Sequence, residues 1–216
     1  MKMNIKKQNI IYVNDIFYSI QGEGSQTGTP CIFIRLGLCN LNCSYCDTKT
    51  AKSDYKIMTI SQIINCIKNF CCKNVCITGG EPLLQKNVFL LMKYLLNKKY
   101  KISIETNGCN DISSIDKKVH IIMDIKCPSS KETNKNLYEN LNYLKSDDDI
   151  KFVISNKNDY IWARKLITKK NLTKYFNVFL SPVYNKLNPR TLATWILKDG
   201  LDVKLQIQLH KYLGLK

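Results

Sequence analysis

Three cysteines in residues 39–48, reading CNLNCSYCDT, constrain this chain more than any other feature. They stand at C-x3-C-x2-C spacing, directly after the apolar run CIFIRL of residues 31–36. Thiolates so close in sequence are carried by one loop, and they converge only around something that binds them. Zinc and iron–sulfur clusters are the usual binders. A structural metal site closes its coordination with four protein ligands, whereas a reactive one leaves a position open. Three thiols without a close fourth predict a reactive metal centre.

A chain of 216 residues, 44% of them apolar, predicts one domain, residues 1–216, with a full hydrophobic core. No run approaches the roughly 18–20 apolar residues of a membrane span. The start, MKMNIKKQN, has lysines but no apolar signal core, which predicts a cytoplasmic protein with no membrane partner. In that reducing compartment the remaining cysteines, Cys31, Cys66, Cys71, Cys72, Cys76, Cys109 and Cys127, read as small core residues rather than disulfide partners. The formal charge of +16 comes from lysines spread along the whole chain. A nucleic-acid binder concentrates them on one face or arm, so the expectation is no direct nucleic-acid contact but attraction to acidic partners. An acidic electron-transfer protein is one such candidate.

Strand patterns fall at residues 32–36, 75–78, 102–106, 120–126, 150–155, 178–181 and 203–209. Residues 60–70 carry Ile60, Ile63, Ile64, Ile67 and Phe70 at helical period. Residues 88–96 are apolar nearly all round, which predicts a deeply buried helix. Helices at 136–145, 159–168 and 191–197 complete the set, the last with Pro189 near its start. Strand–helix alternation predicts an α/β fold with a parallel sheet, either a partial barrel or an open doubly wound sheet.

In such folds chemistry sits at the C-terminal strand ends. Polar, glycine-containing stretches follow the strands here: the cysteine loop, then TGGEP (78–82), ETNG (105–108), DIKCPSS (124–130) and SPVY (181–184). Any one of them alone reads as a turn or helix start. Together, at successive strand ends, they read as the walls of a site where glycines admit a ligand close to the backbone.

The cysteine triplet after the first strand and GGEP after the second resemble the radical S-adenosylmethionine superfamily. Within it, IFYSIQGEGSQTGTPCIFIRL (16–36), CDT (46–48), TGGEP and LQIQLHKYLG (205–214) resemble the 7-carboxy-7-deazaguanine synthase family. The resemblance runs from Asp15 to the end of the chain. It implies a partial (β/α)6-type TIM-like barrel with reduced helices. It also implies a 4Fe-4S cluster, S-adenosylmethionine, Mg2+, a homodimer, and an electron donor such as flavodoxin or ferredoxin. The implied reaction turns the small-molecule pterin 6-carboxy-5,6,7,8-tetrahydropterin into 7-carboxy-7-deazaguanine with loss of ammonia, a carbon–nitrogen lyase step toward queuosine in tRNA. The cluster and cofactor carry the hard chemistry, and the protein binds and orients.

By this resemblance Cys39, Cys43 and Cys46 hold the cluster and Thr48 offers a hydroxyl to Mg2+, a hard cation. Cofactor contacts fall on Tyr45, Cys46, Asp47, Gly80, Asp124, Ile125, Lys126, Ser181, Pro182, Val183 and Tyr184. Substrate contacts fall on Ile20, Gln21, Gly22, Arg35, Thr78 and the main chain of Lys216. Arg35 suits a carboxylate by bidentate pairing. Two departures stand out. Asp124–Ile125–Lys126 replaces a Ser-Pro-Lys sequence common in the family, so only Lys126 aligns cleanly, and Gly37–Leu38 precedes Cys39 where many members have Gly alone. Glu105 of ETNG reads either as a turn residue or as a contact to the cofactor ribose.

His120 reads as structural, and His210 as either structural or beneath the substrate. The acidic run 147–149 reads as a solvated loop. Two other functions share some of these features. A glycyl-radical-enzyme activase shares the cysteine spacing, and a zinc-dependent RNA-binding module would combine cysteines with basic charge. IQGEG and the C-terminal QLHKYLG argue against the first; the missing fourth ligand argues against the second.

Overall fold

The structure, a computed structural model, describes residues 9–216; the lysine-rich start at residues 1–8 lies outside them. The chain begins with β1 (Ile10–Ile20), β2 (Pro30–Leu36) and β3 (Lys56–Thr59), followed by α1 (Ile60–Ile67), β4 (Asn74–Gly79), α2 (Asn87–Asn97) and β5 (Lys101–Thr106). It continues through β6 (His120–Ile125), β7 (Asp149–Ile154), α3 (Lys157–Lys169), α4 (Leu172–Tyr175) and β8 (Asn177–Pro182). It ends with α5 (Pro189–Asp199), β9 (Lys204–Leu205) and α6 (Leu209–Leu213). The strands form one sheet in the order β3-β1-β2-β4-β5-β6-β7-β8-β9. From β2 to β9 every pair is parallel, while β1 runs antiparallel to both β2 and β3.

Strand periodicity sorts the side chains into two faces. Ile32, Ile34 and Leu36 of β2, Val75 and Ile77 of β4, and Ile102 and Ile104 of β5 enter one apolar cluster. Ile121, Met123 and Ile125 of β6, Ile150, Phe152 and Ile154 of β7, and Val178 and Leu180 of β8 enter the same cluster. Residues of α1, α2, α3 and α5 complete it. The opposite face carries Arg35, Thr78, Glu105, Asp124, Lys151 and Ser181, one polar residue from each of the six main parallel strands, and all six line one cavity. Helices on one face and a polar cavity on the other make this a partial barrel, not a doubly wound sheet.

Helix ends follow their sequence signals. Thr59 and Gln62 form a reciprocal capping box at α1. Asn156 caps α3 by accepting from Asp159 N–H. Pro189 opens α5, and Gly200 closes it in the left-handed region at φ 56°.

The interior is closed from below by the loop between β1 and β2. Gly24 N–H donates to Gln206 Oε1 at 2.6 Å and Ser25 N–H to Asp149 Oδ2 at 2.7 Å. Glu23 is ion-paired with Lys151 of β7. One loop therefore spans from the first strands to β7 and the segment after β9.

Several expectations need correction. β1 and β3 were not among the expected strands. Residues 136–145 form only a 3-10 segment at Tyr138–Asn142. Asn136 bonds both the N–H and the C=O of Lys126, and Asn140 bonds Ile112 N–H and the carbonyls of Gly108 and Asn110. Those side-chain bonds hold the backbone on a path an α-helix cannot follow. The shortfall leaves a groove of about 650 Å³ lined by Tyr138, Leu141, Leu144, Leu172 and Tyr175. The strand expected at 203–209 shrinks to two residues before α6 begins. In α2, Leu90 and Tyr94 are exposed rather than buried, and Cys66 and Cys71 are exposed rather than in the core.

The acidic run is not a solvated loop either. Asp148 and Asp149 are fully buried. Asp148 accepts from Ile121 N–H and Lys145, and Asp149 from Ser25 N–H and His120 Nε2 at 3.1 Å. His120 takes the structural role expected of it.

Candidate active site

A cavity of about 560 Å³ opens at the C-terminal ends of the parallel strands. Cys39, Cys43 and Cys46 line it, as do Tyr45, Asp47, Thr48 and Gly80. Arg35, Thr78, Asp124, Lys126, Ser181, Pro182, Val183, Tyr184, Ile20, Gln21 and Lys216 line it too. Two expected residues do not. Ile125 points to the opposite face and is buried in the apolar core, as strand alternation between Asp124 and Lys126 requires. Gly22 instead seats the tail: a Cβ there would fall 2.1 Å from Nδ1 of His210.

The cysteine loop is held against its neighbours by main-chain bonds. Leu38 N–H donates to Ala51 O at 2.9 Å, Glu81 N–H to Leu38 O at 2.8 Å, and Ser44 N–H to Ser130 O at 3.1 Å. Leu41 N–H points at Cys39 Sγ from 3.5 Å. Leu38, directly before Cys39, takes a left-handed backbone at φ 71°, a conformation that suits the glycine many members of the family carry there. Gly79 and Gly80 are needed for close approach: added Cβ atoms would lie 2.1 Å from Leu36 O and 2.0 Å from Leu38 O.

Beneath GGEP, Glu81 is fully buried. Its carboxylate accepts from Leu83 N–H at 3.0 Å, Thr106 Oγ1 at 2.9 Å and Asn107 N–H at 2.7 Å. Burial nevertheless pushes its carboxyl up to about 7. The TGGEP and ETNG turns are thus joined through one side chain.

The cavity's charges form a chain. Lys126 Nζ lies 2.6 Å from Asp124 Oδ2, and Lys151 Nζ lies 3.1 Å from Asp124 Oδ1. Burial opposes the charge on Lys126, but Asp124 more than offsets it and lifts the amine to about 12. Burial likewise works against the Asp124 carboxylate, which Lys126 and Lys151 hold below its usual range. Glu105 accepts from Thr78 Oγ1 at 2.7 Å, and burial followed by Glu23 raises its carboxyl.

A second chain crosses the mouth. Arg35 Nη1 donates to Thr48 Oγ1 at 3.0 Å, and Thr48 Oγ1 donates to Asp47 Oδ1 at 3.0 Å. Asp47 Oδ2 accepts from Gln208 Nε2 at 3.1 Å and Lys211 Nζ at 2.9 Å. Partial desolvation acts upward on the Asp47 carboxyl, but Lys211, Gln208 and Thr48 outweigh it and hold the group well below the usual range. At the end of the tail, Lys216 O accepts from Ser19 Oγ at 2.9 Å.

These residues fit the groups the sequence implied. Among the described residues no three His, Cys, Asp or Glu side chains are gathered around a single ion's position. Three thiols share the cavity wall, and no fourth cysteine among the described residues lines it. Soft thiol donors suit an iron–sulfur cluster, in which separate iron corners take separate thiolates. Thr48 Oγ1, with one bond donated and one accepted, keeps a lone pair for a hard cation.

Lys151, Gln208 and Lys211 went unread in the sequence, although a lysine in the apolar strand DIKFVI was a signal that it needed a buried partner.

The Radical SAM superfamily model matches residues 34–152. The 7-carboxy-7-deazaguanine synthase of Chlorobaculum tepidum is 39% identical over 204 residues, covering 93% of this chain and 93% of that protein. The same-named protein of Methanospirillum hungatei is 43% identical over 205 residues, covering 94% and 85%. Among solved structures, QueE from Escherichia coli aligns with a TM-score of 0.76 at 22% identity, over 92% of this chain and 94% of that one, a likeness of fold. The zinc module and the glycyl-radical activase fall away. The chain belongs to the 7-carboxy-7-deazaguanine synthase family of the radical S-adenosylmethionine superfamily.

Proposed function

We propose that this protein converts 6-carboxy-5,6,7,8-tetrahydropterin to 7-carboxy-7-deazaguanine with loss of ammonia, on the way to 7-deazapurines such as queuosine. One observation supports the residue roles: a single cavity is lined by the three thiols and by Arg35, Gln21 and Thr78. When bound, the 4Fe-4S cluster and S-adenosylmethionine supply the radical that starts the ring contraction.

The chain's own residues bind and orient. Cys39, Cys43 and Cys46 hold the cluster. Tyr45, Asp47, Gly80, Lys126 and the 181–184 turn cradle S-adenosylmethionine. The Arg35 guanidinium takes the substrate carboxylate, and Thr48 presents its hydroxyl oxygen to Mg2+ at the same corner. Gln21 offers an amide to the pterin edge, while Thr78, fixed by Glu105, offers a hydroxyl. The tail, through Gln208, His210 and Lys216, closes the site over the floor loop and limits water. The rest of the reading is a single-domain cytoplasmic homodimer, reduced by an acidic carrier such as flavodoxin or ferredoxin.

No helix among the described residues is long and apolar enough to cross a membrane. The test is anaerobic incubation of the cluster-loaded protein with reductant, S-adenosylmethionine, Mg2+ and the carboxy-tetrahydropterin. Mass spectrometry should find 7-carboxy-7-deazaguanine. A loaded protein that cleaves S-adenosylmethionine yet forms none of it would remove the substrate assignment.

A further inference from the structure

A cluster in this cavity has to receive one electron from outside the chain, and two parts of its surroundings are already covered. The tail lies across the mouth, tied to Asp47 by Lys211 and to Ser19 by the Lys216 carbonyl. The apolar core lies behind the strands. One open approach is the outer side of the cysteine loop. There Asn40, Asn42 and Ser44 are exposed, and Cys43 lies half-buried between the last two.

This strip is held from both sides. Lys52 Nζ donates to Asn42 Oδ1 at 2.9 Å, and Asn42 N–H donates to Glu132. Lys135 pairs with Glu132 at 2.8 Å. Ser44 donates from both N–H and Oγ to the carbonyls of Ser130 and Ser129, next to exposed Lys131. The strip itself is neutral and small. Around it stand three cations, and the carboxylate that touches it, Glu132, is buried and spent on Asn42 and Lys135.

We propose that this rim, the 40–44 strip bordered by Lys52, Lys131 and Lys135, is the docking face for an acidic one-electron carrier protein. The inference rests on the cluster reading above. A neutral strip already held by neighbouring bonds loses little side-chain freedom when covered. The flanking lysines steer an acidic partner, raising the association rate more than the final affinity. Small, polar contacts of this kind characterise transient electron-transfer encounters. The step moves one electron from the reduced carrier to the enzyme, with no bond made or broken and no proton transferred.

The test uses the cluster-loaded enzyme and a reduced acidic flavodoxin as probe. It compares Lys131→Glu/Lys135→Gln with a control of equal charge change, Lys165→Glu/Lys169→Gln on α3. Stopped-flow absorbance reads cluster reduction by the flavodoxin, and dithionite serves as the small-molecule reductant. At low salt the rim variant should lose about fivefold or more in its second-order rate, the control less than about twofold. The difference should shrink at 0.5 M salt, and dithionite reduction should be unchanged in all three proteins. Equal losses in both variants, or none in the rim variant, would overturn the docking face. Failure of dithionite-reduced wild-type protein to cleave S-adenosylmethionine would instead overturn the cluster reading beneath it.

Discussion

Nζ of Lys211 lies 2.9 Å from Oδ2 of Asp47, so the last helix of the chain is tied to the residue that follows Cys46. Asp47 is half-exposed, and a pair of that kind contributes about 1 kcal/mol or less. Lys211→Met should therefore leave global stability nearly intact while loosening the tail. We expect the KM for S-adenosylmethionine to rise about threefold to fivefold, with faster proteolytic clipping after residue 208. Lys211→Arg should restore both. An unchanged clipping rate in the Met variant would show that the tie does not hold the tail.

Gly22→Ala tests the seat of that tail. Its Cβ would meet His210 Nδ1 at 2.1 Å and His210 N at 3.1 Å, and crowding of this sort costs about 1–3 kcal/mol. The tail is the part free to move, so α6 should shift while the sheet holds. Hydrogen exchange should quicken in residues 209–213 and stay slow in β4–β7.

Arg35→Lys keeps the charge but loses the planar fork and its contact with Thr48. A charge-assisted bond of this type contributes about 1.5–3 kcal/mol, so the KM for the carboxylated pterin should rise about tenfold or more. Cleavage of S-adenosylmethionine without substrate should persist. Equal loss of both activities would place Arg35 on the cofactor side instead.

Thr48→Ala removes the hydroxyl proposed for Mg2+ and takes a partner from Arg35 Nη1 and Asp47 Oδ1. Iron content should match wild type, while the Mg2+ concentration for half-activation rises about tenfold, the equivalent of some 1.4 kcal/mol. Thr48→Ser should behave as wild type. Full activity with an unaltered Mg2+ response in the Ala variant would remove Thr48 from the metal.

Glu81 predicts a pH effect with a defined sign. Its folded value of about 7 lies above its ordinary 4.5, so the folded state holds the proton more tightly than the unfolded one. Its contribution is fully present below about pH 4.5 and is lost as pH rises to about 7. The span is on the order of 3 kcal/mol. Glu81→Gln cannot titrate. In anaerobic melts at pH 5 and pH 7.5, wild type should lose more Tm across the interval than Glu81→Gln does. Parallel losses would mean that the three donors keep Glu81 ionised throughout.

Much of this architecture was legible because it rests on local patterns. The cysteine spacing, the strand-end glycines and the alternation along β2 and β4 are each patterns only a few residues long. What escaped was set by distant partners. Asp148 and Asp149 look like surface acids until Ile121 N–H, His120 and Ser25 N–H come to meet them. Residues 136–145 have apolar positions suited to a helix, yet Asn136 and Asn140 spend their side chains on backbone from two other segments. Lys151 reads as an anomaly inside an apolar strand and becomes explicable only beside Asp124 and Glu23.

The loop beneath the cavity gives this half-barrel an exchangeable base plate. The same few residues set how deep the cavity runs and how far apart β2 and β7 stand, because Glu23 and Ser25 bridge that span. The thiols and Thr48 sit on another connection, joined to this one through Gln208, which donates to both Glu23 and Asp47. Lengthening or reshaping the β1–β2 loop would therefore resize the substrate compartment and shift the tail with it, while Arg35 and Thr78 stay fixed on their strands. The size of the compartment and the polar groups on its strands are thus set by different parts of the fold.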